Sequence, residues 1–380
     1  MQKNLFSFIE KNKDEYVNFL KDICSFEATA REKEDVDKMM DFIEDYALKK
    51  GFSVKRTPFE TCGDFLTIDI NEGNEKGNFF LAHVDTVHKK GVFGYPCVKI
   101  DNNKMIAPGA IDCKGGVVIA LLTMDALKQN GFTKHTRLIL TTDEEVSNVL
   151  GGEKEIEFIK ESVKGFKSAL NCETTEGNEI VVSRKGILRR EIIIKGKGGH
   201  SGIDYFRASS AVREAAYKII ELEQNSKVGG TTYNCSVING GRVYNCIPDE
   251  CSFVVDVRAM TTKDLEEADL FVQKVASTSF VNGTSASVKN ISKRMPMVRD
   301  LDTEKLFNDM QKISQKYGLG ELIPVESGGG SDSAYTQAAG VPSLCGVGGS
   351  GEFCHTNKEY IDIDSIEKRA KMLSAFCVEI

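Results

Sequence analysis

The sequence predicts an α/β protein: a mostly parallel, helix-covered sheet with a small inserted domain. Two observations carry this. Short apolar runs at 65–70, 79–84, 138–142 and 168–172 alternate with helical stripes, the pattern of parallel strands joined by crossover helices. From about residue 184 the order changes to β-α-β-β-α-β, a split βαβ sandwich, before the first pattern resumes near 297.

The elements follow from their spacing. Leu5, Phe8, Ile9, Phe19, Leu20 and Ile23 form one helical stripe; Val36, Met40, Ile43 and Ala47 form a second, which Gly51 ends. A helix over 116–128 closes at Asn130-Gly131. In the insert, strands are expected at 187–195, 231–238, 251–258 and 285–291, with helices at 208–223 and 263–277 whose apolar residues repeat on one face. Leu306, Met310 and Ile313 mark a further helix, and a terminal helix starts near Ser365. The expected division is a larger discontinuous domain, 1–183 and 297–380, interrupted by a small inserted domain, 184–296.

Composition narrows the function. Lys and Arg number 49 against 56 Asp and Glu, a formal charge of −7, which argues against a partner such as nucleic acid or a membrane surface. The longest apolar run, 117–122, is far short of a membrane span. Eleven cysteines, an odd number in a chain of 380 residues, read as reduced thiols in a cytoplasmic protein. Five histidines limit the imidazoles open to a metal: His83, His88, His135, His200 and His355.

Five short segments carry candidate chemistry. His83-Val84-Asp85 places a ligand-type His with a carboxylate two residues on, and residues i and i+2 of a strand share a face. Pro108-Gly109-Ala110-Ile111-Asp112-Cys113-Lys114-Gly115-Gly116 sets Asp112 in a glycine-dense turn before a helix, where it could equally be an N-cap. Asp143-Glu144-Glu145 crowds three acids after a strand; a solvated loop tolerates this, and a cation makes it favourable. Glu173 ends another strand, and His355 follows a Gly-rich stretch. Ligands gather at the carboxyl ends of strands in such sheets. Mixed N and O donors in this number suit two Zn²⁺ ions, with Co²⁺ or Mn²⁺ as alternatives. His88, past its strand, reads as a surface or rim residue, and His135, in a polar turn, as a second bystander. Cys113, Cys172 and Cys354 adjoin the proposed ligands and read as packing thiols.

With His83-x-Asp85-Thr86, Asp112-x-Lys114-Gly115-Gly116, Glu144-Glu145, Cys172-Glu173-Thr174, Gly198-Gly199-His200-Ser201-Gly202, Asn245-x-Ile247-Pro248 and His355 in this order, the chain resembles the dinuclear zinc peptidases of clan MH. These include glutamate carboxypeptidases, acetylornithine deacetylases, desuccinylases, aminoacylases and peptidase T, and the glutamate carboxypeptidases are the most similar in spelling. The resemblance implies a phosphorylase/hydrolase-like catalytic domain with a ferredoxin-like lid. It implies that Asp112 bridges two zinc ions, with His83 and Glu173 completing one site and Glu145 and His355 the other. Glu144 would be general base toward a metal-bridging water, Asp85 would orient His83, and His200 would reach the substrate carbonyl, often across a homodimer interface. Asn245, Arg258, Arg294 and the loop of Gly329, Gly330 and Ser331 would hold the substrate's carboxylate end.

One departure stands out. Ile180 occupies the place where a glutamate-gripping Lys is expected; either nearby Arg184 or Lys185 substitutes for it, or the pocket is apolar and favours an uncharged leaving side chain. The implied activity is hydrolysis of an amide beside a free carboxylate, by a carboxypeptidase or a di- or tripeptidase. The alternatives are an N-acyl-amino-acid deacylase of the acetylornithine deacetylase or desuccinylase type, a cysteine hydrolase and, remotely, a non-catalytic peptide-binding scaffold.

Overall fold

The computed structural model describes residues 2–380. The chain divides into two compact units. The first comprises 1–183, 299–326 and 331–380; the second comprises 184–298 with 327–330.

The first unit is built on an eight-stranded sheet. Its order is Ser53–Thr57, Phe65–Ile70, His135–Thr141, Lys76–His83, Ser168–Asn171, Ser343–Cys345, Glu179–Arg184 and Ile323–Ser327. The central pairings, Lys76–His83 with its two neighbours and Ser168–Asn171 with Ser343–Cys345, are parallel. Antiparallel pairs flank them. Alternate residues of the central strands serve opposite faces, as the pleat requires. Phe80, Ala82, Leu138 and Leu140 enter the larger core beneath the helices Gln2–Cys24, Lys33–Lys49, Gly115–Gln129 and Ile363–Glu379. Phe79, Leu81 and Ile139 enter a smaller core with Ile159 and Val163 of the helix Gly152–Val163. The helix Gly115–Gln129 is buried from Gly115 through Leu127, which explains why its sequence is apolar almost all round.

Glycine is required where this helix begins. A Cβ on Gly116 would lie 1.9 Å from the carbonyl oxygen of Cys172, so only a bare backbone lets the helix meet the strand that leads to Glu173. Gly109, at φ +69°, takes the left-handed turn into the irregular segment Ala110–Lys114. Within that segment Asp112 leaves helical geometry and its peptide bond to Cys113 is cis.

In the second unit a four-stranded antiparallel sheet runs Thr232–Gly240, Glu250–Ala259, Gly186–Lys195 and Ser285–Arg294. Its helices Ala211–Glu223 and Thr262–Ser277 start at Ser210 and Thr261, whose side chains accept from the N–H groups of Arg213 and Asp264. Leu188, Ile192, Phe253, Val255, Leu265 and Val272 form the core. Buried Lys218 pairs with Glu214 at 2.8 Å and reaches the carbonyls of Val275 and Ala276, tying one helix to the end of the other. The first of these helices begins three residues later than its apolar pattern suggests, because Ser209 pairs with Lys197 in an antiparallel bridge before the cap Ser210.

Candidate metal centre and active site

His83 is the last residue of its strand, and its ring is 2% exposed. Its Nε2 lies 3.2 Å from Asp112 Oδ1 and 3.9 Å from Glu173 Oε2. On the other side of the same aspartate, His355 Nε2 lies 3.2 Å from Asp112 Oδ2 and 3.3 Å from Glu145 Oε2. Asp112 therefore offers one oxygen to each of two His/Glu pairs. His355 is held at φ +64°, a left-handed backbone that non-glycine residues seldom adopt.

These separations fit a shared cation. Two donors on one zinc at about 2.1 Å stand roughly 3.4 Å apart in tetrahedral geometry. Both clusters offer N and O donors close to that spacing. The electrostatics agree. Burial, reinforced by the Asp112 charge, pushes the Glu145 carboxyl up to about 8. Hydrogen bonds to Asp112 and Glu145 push His355 up to about 11. Burial opposes ionisation of Asp112, but His355 and His83 outweigh it and hold its carboxyl well below the usual range. Left alone, the imidazoles supply the positive charge that the carboxylates demand; divalent cations supply it better and leave the imidazole nitrogens as ligands.

Asp85 has more contacts than the expected one. His83 Nδ1 lies 3.1 Å from the Asp85 backbone carbonyl oxygen and 3.5 Å from its carboxylate. The fully buried carboxylate also accepts from the N–H of Glu144 at 3.3 Å and of Glu145 at 3.0 Å. Glu144, 9% exposed, thus sits on a turn that Asp85 fixes.

The thiols beside the ligands are enclosed. Cys113 and Cys172 are fully buried, and burial pushes the Cys113 thiol up to about 12, which disfavours its thiolate. Cys113 Sγ caps the His83 carbonyl at 3.5 Å. Cys354 is half-buried, with its thiol also pushed up by burial. All eleven cysteines are free.

Two histidines differ from expectation. His88 is 5% exposed and lies 2.5 Å from Glu359 Oε2. His135 opens a strand, 4% exposed, with Nε2 at 2.8 Å from Asp69, which also binds Arg137. Neither is on the surface, because each has a buried carboxylate distant in sequence. Ile180 is fully buried in the main core with Val182 and Leu344, so its side chain lines no side-chain pocket. Ser331 is likewise fully buried, with its hydroxyl bonded among Asn171, Ser333 and Cys345, and presents no surface to a substrate.

The other expected substrate contacts lie in the second unit. His200 is exposed, and its Nδ1 accepts from the N–H groups of Gly202 and Ile203 at 3.2 and 3.3 Å. That leaves the proton on Nε2, the tautomer that can donate outward. Asn245 is exposed, and its carbonyl accepts from Ser201 N–H. Arg258 is already paired with Asp256, at 2.5 Å through Nε. Arg294 is 2% exposed and packs beside Gly330, where an added Cβ would lie 3.2 Å from its side chain. Gly329 stands near Arg184, whose guanidinium reaches the Gly330 carbonyl at 3.4 Å.

A mixed sheet with a parallel centre, with His, Asp and Glu donors gathered at and beside its strand ends and a buried acid next to them, is the arrangement of a metal-dependent hydrolase. Residues 79–379 match the family described as Peptidase family M20/M25/M40, and the chain belongs to that family. It is a metal-dependent enzyme of the peptidase and amidohydrolase class. Carboxypeptidase G2 of Pseudomonas sp. (strain RS-16) is 26% identical over 374 residues, covering 96% of this chain and 89% of its own length. Succinyl-diaminopimelate desuccinylase of Rickettsia akari is 23% identical, covering 96% and 100%. Among solved structures, aminopeptidase PepT of Bacillus cereus superposes with a TM-score of 0.76 at 19% identity, covering 97% of this chain and 98% of its own. No helix of the described residues is long and apolar enough to cross a membrane.

Proposed function

We propose that the chain is a dinuclear zinc carboxypeptidase or di- or tripeptidase, acting on an amide next to a free carboxylate. The observation that carries this is the division of Asp112, with one oxygen toward His83 and Glu173 and the other toward Glu145 and His355. These five residues would hold the two ions. When bound, the ions supply Lewis acidity that polarises the carbonyl and acidifies water. Glu144 takes the proton from the attacking water and returns it to the leaving amine. His200 donates through Nε2 to the oxyanion of the tetrahedral intermediate. Asn245, Arg258, Arg294, Gly329 and Gly330 are the groups proposed to hold the substrate's carboxylate end, and Arg258 and Arg294 must first exchange their present partners.

The second reading, an N-acyl-amino-acid deacylase, is kept because relatives of both names match over most of the chain. The test is one panel of dipeptides, tripeptides, N-acetyl and N-succinyl amino acids, run with zinc-loaded wild type and Glu144→Gln. Peptide turnover that falls by roughly 10²–10⁴ in Glu144→Gln, with metal content unchanged, supports the proposal. Turnover of acyl amino acids alone moves the chain to the deacylases, and turnover of neither ends both readings.

A homodimer through the second unit is part of this proposal. Its support is the edge strand Thr232–Gly240, with Val237 68% and Ile238 56% exposed, beside Ile220 at 60%. An apolar strand edge invites pairing with another copy. Sedimentation analysis tests it, a monomer at all concentrations being the contrary result. The odd thiol count supports a cytoplasmic setting.

A further inference from the structure

The buried pair His88–Glu359 is unexplained by the reaction just described. His88 Nε2 lies 2.5 Å from Glu359 Oε2, and Glu359 is 1% exposed. The other oxygen, Oε1, accepts from the backbone N–H of Ile111 and of Asp112, both at 3.2 Å. The His88 ring also stands edge-to-face with that of Phe93, centroids 4.9 Å apart and planes at 90°. The imidazole is therefore fixed in two directions, and the carboxylate it grips is used on both oxygens.

What this pair joins gives it meaning. His88 closes the segment that begins at His83, and Glu359 closes the segment that begins at His355. The two N–H groups that Glu359 holds include that of Asp112 itself. One hydrogen-bonded chain thus ties together three segments that are distant in sequence and that each bring a proposed ligand. A carboxylate that accepts two backbone N–H bonds without a third restraint can rotate or slide. The N–H of His88 removes that freedom.

We infer that His88 is a positioning residue for the metal centre, acting through Glu359 to set the backbone of Asp112 and its spacing to His83 and His355. It touches neither substrate nor metal. Outer partners of this kind typically change metal affinity or activity by 10–100-fold when removed. The inference rests on the reading of Asp112, His83 and His355 as metal-holding residues.

The test uses apoprotein prepared with a chelator and titrated with Zn²⁺ in competition with a chromogenic chelator, and with Co²⁺ followed by its visible spectrum. His88→Phe keeps a flat ring against Phe93 and loses the hydrogen bond; His88→Gln keeps an N–H donor. The expected result is a 10–100-fold weaker zinc affinity and an altered Co²⁺ spectrum in His88→Phe. The melting temperature of its apoprotein stays at the wild-type value. At saturating zinc kcat falls while KM stays within about twofold, since substrate contacts are untouched. His88→Gln recovers most of the affinity and the spectrum. Two ions bound by wild type and equally tightly by His88→Phe, with the same spectrum, overturn the inference alone. So does a His88→Gln variant as impaired as His88→Phe. A wild type that takes up fewer than two ions overturns the dinuclear reading itself, and the inference with it.

Discussion

The carboxylate of Asp85 accepts the backbone N–H of Glu145 at 3.0 Å, so the aspartate two residues past one proposed ligand fixes the backbone of another. Its second oxygen takes the N–H of Glu144. In Asp85→Asn the amide can accept from one of these groups and must turn its own N–H toward the other. The expected outcome is a kcat lowered by about 10–100-fold with KM little changed. Steady-state kinetics at saturating zinc check this; a kcat within twofold of wild type would remove Asp85 from the machinery.

Removing metal should destabilise the protein as well as silence it. The centre sets Asp112, Glu145 and Glu173 together, and burial with the Asp112 charge already lifts Glu145 to about 8. A cation bound to the folded state at 100 times its Kd contributes about 2.7 kcal/mol. Differential scanning calorimetry with and without chelator should show a melting point lower by roughly 3–5 °C in the chelated protein, reversed by zinc. An unchanged melting point would count against a metal held by these side chains.

His200 should matter to chemistry and not to metal. With Nδ1 occupied by two backbone N–H groups, Nε2 is its outward donor. His200→Phe is expected to lower kcat by about 10²–10³, while zinc content by mass spectrometry stays at the wild-type value. Loss of metal instead would make His200 something other than an oxyanion donor.

Glu155 gives a pH-dependent stability. It is fully buried, and burial, then the charges of Asp332 and Asp143, push its carboxyl up to about 10. The unfolded chain releases this proton near pH 4.3. Between those values the folded state binds a proton that the unfolded state does not, so stability falls as pH rises through that window. Glu155→Gln keeps a neutral, hydrogen-bonding group and should flatten the fall. Denaturation midpoints of the two proteins from pH 6 to 9 check this; parallel curves would mean that Glu155 is ionised in the fold.

Three of the proposed metal ligands, His83, Glu145 and Glu173, stood out because each follows an apolar run, where the strand pattern and the chemistry coincide. Asp112 and His355 lie in or after glycine-rich turns. The insert was legible for a similar reason: its strands and helices change order abruptly. Partners far apart in sequence were hidden. Nothing near His88 or His135 hints that Glu359 or Asp69 waits to receive it, so both histidines read as bystanders. Ile180 was misread for the converse reason. Alignment of spelling located a position without revealing which face of the strand it occupies, and that face is the core. Ser331 lies in a loop whose glycines suggested substrate contact, yet its hydroxyl is turned inward to Asn171.

The division of Asp112 between two clusters has a consequence for how the centre comes into being. Its first half, His83 and Glu173, lies early in the chain, while the second half waits for His355. Chains are made from the N-terminus. The proposed donor set is therefore incomplete until the segment around His355 has been made, and the helix Ile363–Glu379, which packs in the same core as Gly115–Gln129, follows it.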